Sequence, residues 1–148
     1  MNEALRVTHV VQTLKSGGAE TIVRGLTHGL RAGGLDVRII SVYDDGLTPL
    51  EREQLGVPID GAGRASKLDV AFFPRLLGLL HAQRPHVVHA HLHAGKYAGR
   101  LGAVLTGVPA IVFTEHGDEL RGPLNTVANR FLNPRTSRFI KRLVSVTR

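Results

Sequence analysis

The sequence predicts an α/β fold in which an open, mostly parallel β-sheet carries helices on both faces. Runs rich in β-branched residues alternate along the chain with segments whose apolar residues recur at helical spacing. A helix between two strands is a crossover, so the strands that it joins are expected to be parallel. The 148 residues, 43% of them hydrophobic, suffice for a single domain with its own core.

The first predicted unit is a strand, a turn and a helix. Leu5 to Val11 is a β-branched run that ends before a glycine pair, and apolar residues then recur at helical spacing. Gly33 and Gly34 end this helix, and Leu35 to Tyr43 is predicted as the second strand. Together these segments form a βαβ unit.

The remaining elements continue the alternation of strands and helices. We first predict a short helix around Leu50 to Gln54, a weak strand at Val57 to Ile59, and a helix within Ser66 to Arg84 that Pro74 kinks or starts. Next come a strand at His86 to Ala90, a helix from Ala94 to Leu105 with Tyr97, Leu101 and Val104 on one face, and a strand at Ala110 to Thr114. An amphipathic stretch from Leu124 to Arg142 and a last strand at Val144 to Thr147 complete the prediction.

Composition excludes several classes of protein. The sequence has no cysteine, which excludes disulfides, thiolate nucleophiles and cysteine-bound zinc. No apolar run reaches the 18 or so residues of a membrane-spanning helix, and the first residues lack the pattern of a secretory signal. We therefore expect a cytoplasmic location.

The net charge of +7 is concentrated at one end of the chain. Residues 121–148 contain seven basic side chains and no acidic one, whereas residues 1–120 balance 12 basic against 12 acidic residues. The positive electrostatic field of such a cluster attracts phosphates, anionic lipid head groups, nucleic acid or an acidic partner. A solvated face, or a surface covered by a neighbouring domain, explains it equally well.

A glycine turn joins the first strand to the first helix. In Lys-Ser-Gly-Gly-Ala-Glu, Gly17 and Gly18 permit close approach to the backbone N–H groups that open a helix, which is typical of an anion site. The turn is neither the G-x-G-x-x-G fingerprint nor a P-loop. An ordinary tight turn remains the alternative.

Three histidines follow one another at alternate positions near the end of the fourth strand. His89, His91 and His93 point the same way if the strand persists, and three imidazoles could bind zinc. The acidic residue that H-x-H-x-D-H metallohydrolases need is absent at Leu92 and Ala94, so no metal is expected. We predict His91 and His93 as hydrogen-bonding groups at a cleft edge and His89 as a packed strand residue.

A third motif, Thr-Glu-His-Gly, follows the fifth strand. Gly117 allows a sharp turn, and His116 can reach into a cleft beyond the carboxyl ends of the strands. All three motifs fall at such strand ends, where open α/β sheets bind their ligands.

Taken together, V-x-x-L-x-S-G-G-A-E-T, R-P-H-V-V-H-A-H with A-G-K-Y-A-G-R, and G-V-P-A-I-V-F-T-E-H-G resemble the amino-terminal domain of family 4 glycosyltransferases of the GT-B fold. The resemblance spans nearly the whole chain. It implies that residues 1–148 form one Rossmann-like, acceptor-side domain, which faces a carboxyl-terminal nucleotide-sugar domain across a cleft. It also implies transfer with retention of anomeric configuration and without a metal.

By position, the resemblance implies a role for each motif. Gly17 and Gly18 would meet the diphosphate of a nucleotide-sugar donor, which is a substrate and not a permanently bound cofactor. His116 would contact the transferred sugar near the reaction centre. The acceptor, whether lipid-linked, a saccharide or a small molecule, would lie near His91, His93, Lys96 and Tyr97.

The paired-glutamate motif and the nucleotide pocket of the family are absent from these residues. We therefore expect a truncated enzyme or one partner of a split enzyme, inactive without the missing carboxyl-terminal domain. Similar enzymes act on lipid-linked acceptors, so the basic stretch Leu124 to Arg142 is predicted to contact the anionic inner surface of the membrane.

A nonenzymatic binding module is the competing hypothesis. A regulator of this fold needs an acidic pocket at the strand ends, and Asp44 with Asp45 is the only candidate pair. Binding of nucleic acid through the basic end is not expected, because aromatic residues make up 5% of the chain and tryptophan is absent. A nicotinamide-dependent dehydrogenase is excluded by the missing fingerprint.

Overall fold

The computed structural model describes residues 4–15, 17–91, 95–116 and 143–146, with the backbone alone for residues 115–116 and 143–146. The strands are β1 (Arg6–Val11), β2 (Asp36–Ser41), β3 (Ile59–Gly61), β4 (Val87–His91), β5 (Ala110–His116) and β6 (Leu143–Val146). The helices are α1 (Gly18–Ala32), α2 (Pro49–Leu55), α3 (Phe72–Gln83) and α4 (Arg100–Leu105), and a π-helical turn, Gly95–Gly99, precedes α4.

The six strands form one sheet in the order β3-β2-β1-β4-β5-β6. Every pairing is parallel, which confirms the predicted α/β fold. The chain runs outward from β1 to β3, crosses back to β4 and then runs outward in the opposite direction. The reversal of strand order between β1 and β4 creates a crevice at their carboxyl ends, the usual ligand site of such sheets.

Hydrophobic clusters cover both faces of the sheet. On one face Val10, Ile40 and Val88 pack against side chains of α3 and α4 that include Leu76 and Ala103. On the other face a smaller cluster contains Val11, Leu14, Val23, Ile39 and Leu55 and joins the sheet to α1 and α2. Helices on both faces were predicted and are confirmed.

Helix α2 begins with a capping box. The backbone N–H of Glu51 donates to Thr48 Oγ1 at 3.3 Å, and the backbone N–H of Thr48 donates to Glu51 Oε2 at 2.8 Å. The N–H of Thr48 is the largest of the interactions that hold the pKa of Glu51 below its usual range. The capping box orders the segment that follows β2.

Replacement of Thr48 by alanine is expected to lower the free energy of unfolding by about 1 kcal/mol, because one helix N–H loses its side-chain acceptor. Urea denaturation of the variant measures this loss. Glu53→Ala, at an exposed position of the same helix, is the matched control and is expected to change stability by less than about 0.5 kcal/mol. Equal stabilities of the two variants would contradict the prediction.

The structure shifts the third strand and fixes where helix α3 begins. The third strand lies at Ile59–Gly61 instead of starting at Val57. Helix α3 starts at Phe72 with Pro74 in its first turn, which confirms the prediction that Pro74 kinks or starts the helix, and Leu68 lies outside the helix with 90% of its surface exposed. Pro74 explains the late start: in a helix extended upstream its ring would clash with the carbonyl of Val70, whereas the first turn tolerates it.

The segment after β4 differs most from the prediction. In place of the single helix predicted from Ala94, a π-helical turn precedes α4, and of Tyr97, Leu101 and Val104, which were predicted on one face, Leu101 is 40% exposed whereas Val104 packs against the core. The buried residues of the turn and helix are Gly95, Lys96, Gly99, Arg100, Gly102 and Ala103. Because Gly95 has no Cβ, the backbone of the turn lies close to the backbone of β1: a Cβ on Gly95 would lie 2.4 Å from the carbonyl oxygen of Val10. The spacing of hydrophobic residues does not reveal this close contact.

The predicted amphipathic stretch Leu124 to Arg142 lies outside the described residues. Strand β6 begins at Leu143 and pairs with β5, which confirms that a further strand follows that stretch. Among the helices that the structure describes, none has the length and hydropathy to cross a membrane.

Candidate functional site

The segment between β1 and the glycine turn is held firmly. Leu14 is fully buried, and its backbone N–H donates to the carbonyl oxygen of Asp45 at 2.9 Å. Thr13 Oγ1 donates to the carbonyl oxygen of Asp44 at 3.1 Å, and Arg24 Nη2 donates to the carbonyl oxygen of Leu14 at 3.0 Å. These contacts tie the loops after β1 and β2 to α1, which positions the glycine turn.

Gly17 and Gly18 lie at the amino terminus of α1, as predicted. Gly17 is the N-cap residue with φ −176° and ψ 169°, an extended conformation open to any residue, and no side chain caps the helix. A Cβ on Gly18 would meet nothing within 4 Å, and one on Gly17 would meet only the flexible end of Glu20. Both glycines are exposed. The fold therefore does not require glycine here, whereas close approach of an anion to the helix N–H groups would.

The acidic pair after β2 contributes to the structure of the loop. The Asp45 carboxylate forms an ion pair with Arg52 and accepts the backbone N–H of Leu47 at 2.9 Å, and the residue is buried. Asp44 Oδ1 accepts the backbone N–H of Gly46 at 3.4 Å. This pair stabilises a turn and does not form the open acidic pocket that a regulator would need.

Three histidines meet on the sheet face that carries α1. His9 of β1 and His89 of β4 are register partners, and His91 follows two residues later on the same side of β4. The Nδ1 atom of His9 lies 3.0 Å from the Nε2 atom of His91, and His89 Nε2 lies 2.7 Å from Thr114 Oγ1 of β5. The sequence analysis did not single out His9. If β1 had been predicted to lie beside β4, the histidine in each strand would have indicated the cluster.

Burial controls the protonation of this cluster. His9 and His91 have no exposed surface, and His89 is half-buried. Burial and, to a smaller extent, the neighbouring His89 together lower the pKa of His9 from 6.5 to about 3. The His9 ring is therefore neutral at physiological pH.

Two cations of the π-helical turn and α4 lie against aromatic rings. The Arg100 guanidinium carbon is 4.3 Å from the ring centroid of Phe113. Lys96 Nζ is 5.4 Å from the ring centroid of Tyr97 and 5.8 Å from that of Phe113. Lys96 and Arg100 are buried, and Tyr97 is half-buried. Arg100 was not among the predicted site residues, because an arginine in a predicted helix carries no distinguishing signal.

The predicted site residues that the structure describes lie at the carboxyl ends of three neighbouring strands. Gly17 and Gly18 follow β1, His91 is the last residue of β4, Lys96 and Tyr97 lie in the π-helical turn after β4, and His116 is the last residue of β5. His93 lies outside the described residues. His91 is fully buried instead of lining an open cleft edge.

Comparison with known proteins identifies the family. A family model described as a glycosyl transferase 4-like domain matches residues 17–148. The chain belongs to this glycosyl transferase 4-like family. No curated protein matches the sequence.

Solved structures share the fold of this glycosyl transferase 4-like domain at low sequence identity. A glycosyltransferase from Rickettsia africae has a TM-score of 0.70 and 14% identity, over 99% of this chain and 38% of its own. HepE from Anabaena, in complex with UDP, has a TM-score of 0.68 and 15% identity, over 94% and 37% of the two chains. A UDP-N-acetylglucosamine 2-epimerase has a TM-score of 0.62 and 14% identity, over 97% and 42%.

This chain thus spans about two fifths of the length of these structures. The family match and the shared fold confirm the predicted resemblance to the amino-terminal domain of GT-B glycosyltransferases. The shared fold with an epimerase shows that the sheet alone does not determine the reaction.

Proposed function

We propose that this domain forms the acceptor side of an enzyme that transfers a sugar from a nucleotide-diphosphate donor to an acceptor, with retention of anomeric configuration. The observation that carries the proposal is the exposed glycine pair at the start of α1, at the carboxyl end of β1, in a chain of the glycosyl transferase 4-like family. A carboxyl-terminal domain would bind the nucleotide and supply the basic groups that stabilise the leaving diphosphate.

On the donor side, Gly17 and Gly18 bring the first N–H groups of α1 close to the diphosphate. The helix dipole and these donors stabilise negative charge, which grows on the diphosphate as the bond to the sugar breaks. The firmly held loop before Gly17 keeps the donors in place, so little reorganisation accompanies the reaction. His116, at the end of β5, would contact the transferred sugar.

On the acceptor side, Tyr97 is half-buried and therefore more accessible than His91 and Lys96, so it would make the first contact with the acceptor. His91 and Lys96 are buried, and in this role they would position the acceptor region together with His93. The acceptor class is lipid-linked, saccharide or small molecule. We further propose a cytoplasmic enzyme that reaches the inner face of the membrane through Leu124 to Arg142.

The glycine pair is tested by Gly18→Val in the two-domain enzyme, with UDP as the probe because the structural neighbour HepE was solved with it. The added side chain meets no protein atom within 4 Å, so folding should be preserved. Displacement of the diphosphate by about 1 Å is expected to weaken UDP binding and slow transfer by roughly tenfold to a hundredfold. Calorimetry and release of the nucleotide diphosphate measure the two effects.

Gly25→Val is the matched control, because Gly25 also lies in α1 with open space around its Cβ position. The control is expected to bind UDP and to transfer sugar like the wild type. Unchanged UDP affinity in Gly18→Val would remove the glycine turn from the donor site. Epimerised sugar without a glycosylated acceptor would favour the epimerase reaction over transfer.

A further inference from the structure

The cluster of His9, His89 and His91 has the composition of a metal site. One ring nitrogen from each residue lies within 4.8 Å of the others. The ring centroids of His89 and His91 are 3.9 Å apart, and that of His9 is 5.3 Å and 5.2 Å from them. Three converging imidazoles are a ligand set that zinc and related divalent ions prefer.

The spacing is close to what such an ion requires. Zinc binds imidazole nitrogen at about 2.0–2.1 Å, which in tetrahedral geometry separates two ligand nitrogens by roughly 3.3 Å. His9 Nδ1 and His91 Nε2 are 3.0 Å apart. An ion that used this pair would need only a few tenths of an ångström of outward movement, which small ring rotations provide.

His9 supplies independent evidence that points to a ligand. Its Nδ1 atom lies against His91, whereas its Nε2 atom is buried and has no hydrogen-bond partner among the described residues. A buried polar atom without a partner destabilises the folded protein. A metal ion bound through His9 Nε2 would supply the partner that this atom lacks, and one bound through Nδ1 would replace the contact with His91.

A further contact orients the half-buried member of the cluster. Thr114 Oγ1 lies 2.7 Å from His89 Nε2. A hydrogen bond of this kind fixes the ring and its tautomer, as the outer partners of metal-bound histidines do. All four residues lie on paired central strands, so their backbones are held rigidly.

We propose that His9, His89 and His91 bind one divalent transition-metal ion of the zinc class, with a fourth position left for water or another ligand. The ion would link β1 to β4 where the strand order reverses. The expectation that no metal binds was based on the motif of His89, His91 and His93 and on the family resemblance. The folded sheet adds His9 from the neighbouring strand, which the linear motif does not contain.

The test uses the wild-type protein without a polyhistidine tag, stripped of metal with EDTA. Titration with Co²⁺ is expected to produce visible absorption bands that saturate at one ion per chain. Zn²⁺ should displace the Co²⁺ and raise the melting temperature of the protein. None of these measurements uses a donor or an acceptor, so their outcome is separate from that of the proposed transfer reaction.

Two variants locate the ion. His9→Asn and His89→Gln are each expected to weaken Co²⁺ and Zn²⁺ binding by at least about tenfold. The control replaces the exposed His28 and His81 by glutamine and should bind both ions like the wild type. Circular dichroism checks that each variant is folded, and if His9→Asn does not fold, the half-buried His89 position decides.

Absence of stoichiometric binding in the wild type would overturn the proposal. Unchanged affinity in folded His89→Gln would also overturn it, as would loss of binding in the His28 and His81 control.

Discussion

Replacement of Gly95 by alanine is expected to lower the free energy of unfolding by about 3 kcal/mol, at the upper end of overpacking effects. The added Cβ would lie 2.4 Å from the carbonyl oxygen of Val10 and 3.4 Å from Cα of Val11. Both are backbone atoms of the central strand β1, so no side-chain rotation relieves the clash. Chemical denaturation of the variant and the wild type measures the difference.

Gly29→Ala is the matched control for Gly95→Ala. Gly29 lies in α1, and a Cβ there would meet nothing within 4 Å. Because alanine favours a helix over glycine, this variant is expected to be more stable than the wild type by about 0.5–1 kcal/mol. Similar stabilities of the Gly95 and Gly29 variants would contradict the close approach of the π-helical turn to β1.

A second large effect is expected in the pH dependence of stability. The pKa of His9 is lowered to about 3 in the folded state by burial, then by His89, from a usual value of 6.5. Between these values the unfolded chain binds a proton that the folded chain does not, so acid favours unfolding. His9 thus contributes its full stability above pH 6.5, and the contribution declines as the pH falls through this window.

The slope expected from His9 approaches about 1.4 kcal/mol per pH unit within the window, and amounts to several kcal/mol by pH 4. Carboxylates titrate in the lower part of the same pH range. The measurement is therefore the difference between wild type and His9→Asn in how the free energy of unfolding changes with pH, with EDTA present to remove metal ions. The variant is expected to lose stability less steeply between pH 6.5 and pH 4.

The exposed His28 is the control for this measurement. His28→Gln should retain the wild-type slope, because it leaves the buried His9 unchanged. An equally steep loss of stability in His9→Asn and the wild type would show that the acid sensitivity arises elsewhere.

Much of the fold could be predicted from local patterns. β1 and β2 are rich in β-branched residues, and their alternation with helical periods predicted a parallel sheet. The Gly17 and Gly18 turn was placed correctly between β1 and α1. Such features depend on residues close in sequence, which is why a single sequence reveals them.

The errors came from contacts between distant residues. The period of Tyr97, Leu101 and Val104 indicated one inner face, but the absence of a Cβ at Gly95 and Gly99 allows a different face to pack on β1. Burial of the charged Lys96 and Arg100 follows from that packing, together with their positions against the ring of Phe113. Periodicity reports average hydrophobicity and not how closely two backbones approach.

The sequence by itself determined the α/β class, the strand-helix order and the three motifs at strand ends, since each follows from residues that are neighbours in the chain. Only the tertiary structure decided which motifs meet. It placed β1 beside β4 and so brought His9 to His89 and His91, from positions 80 or so residues apart. Strand order depends on how the two faces of the sheet are buried, and that burial is a property of the whole chain.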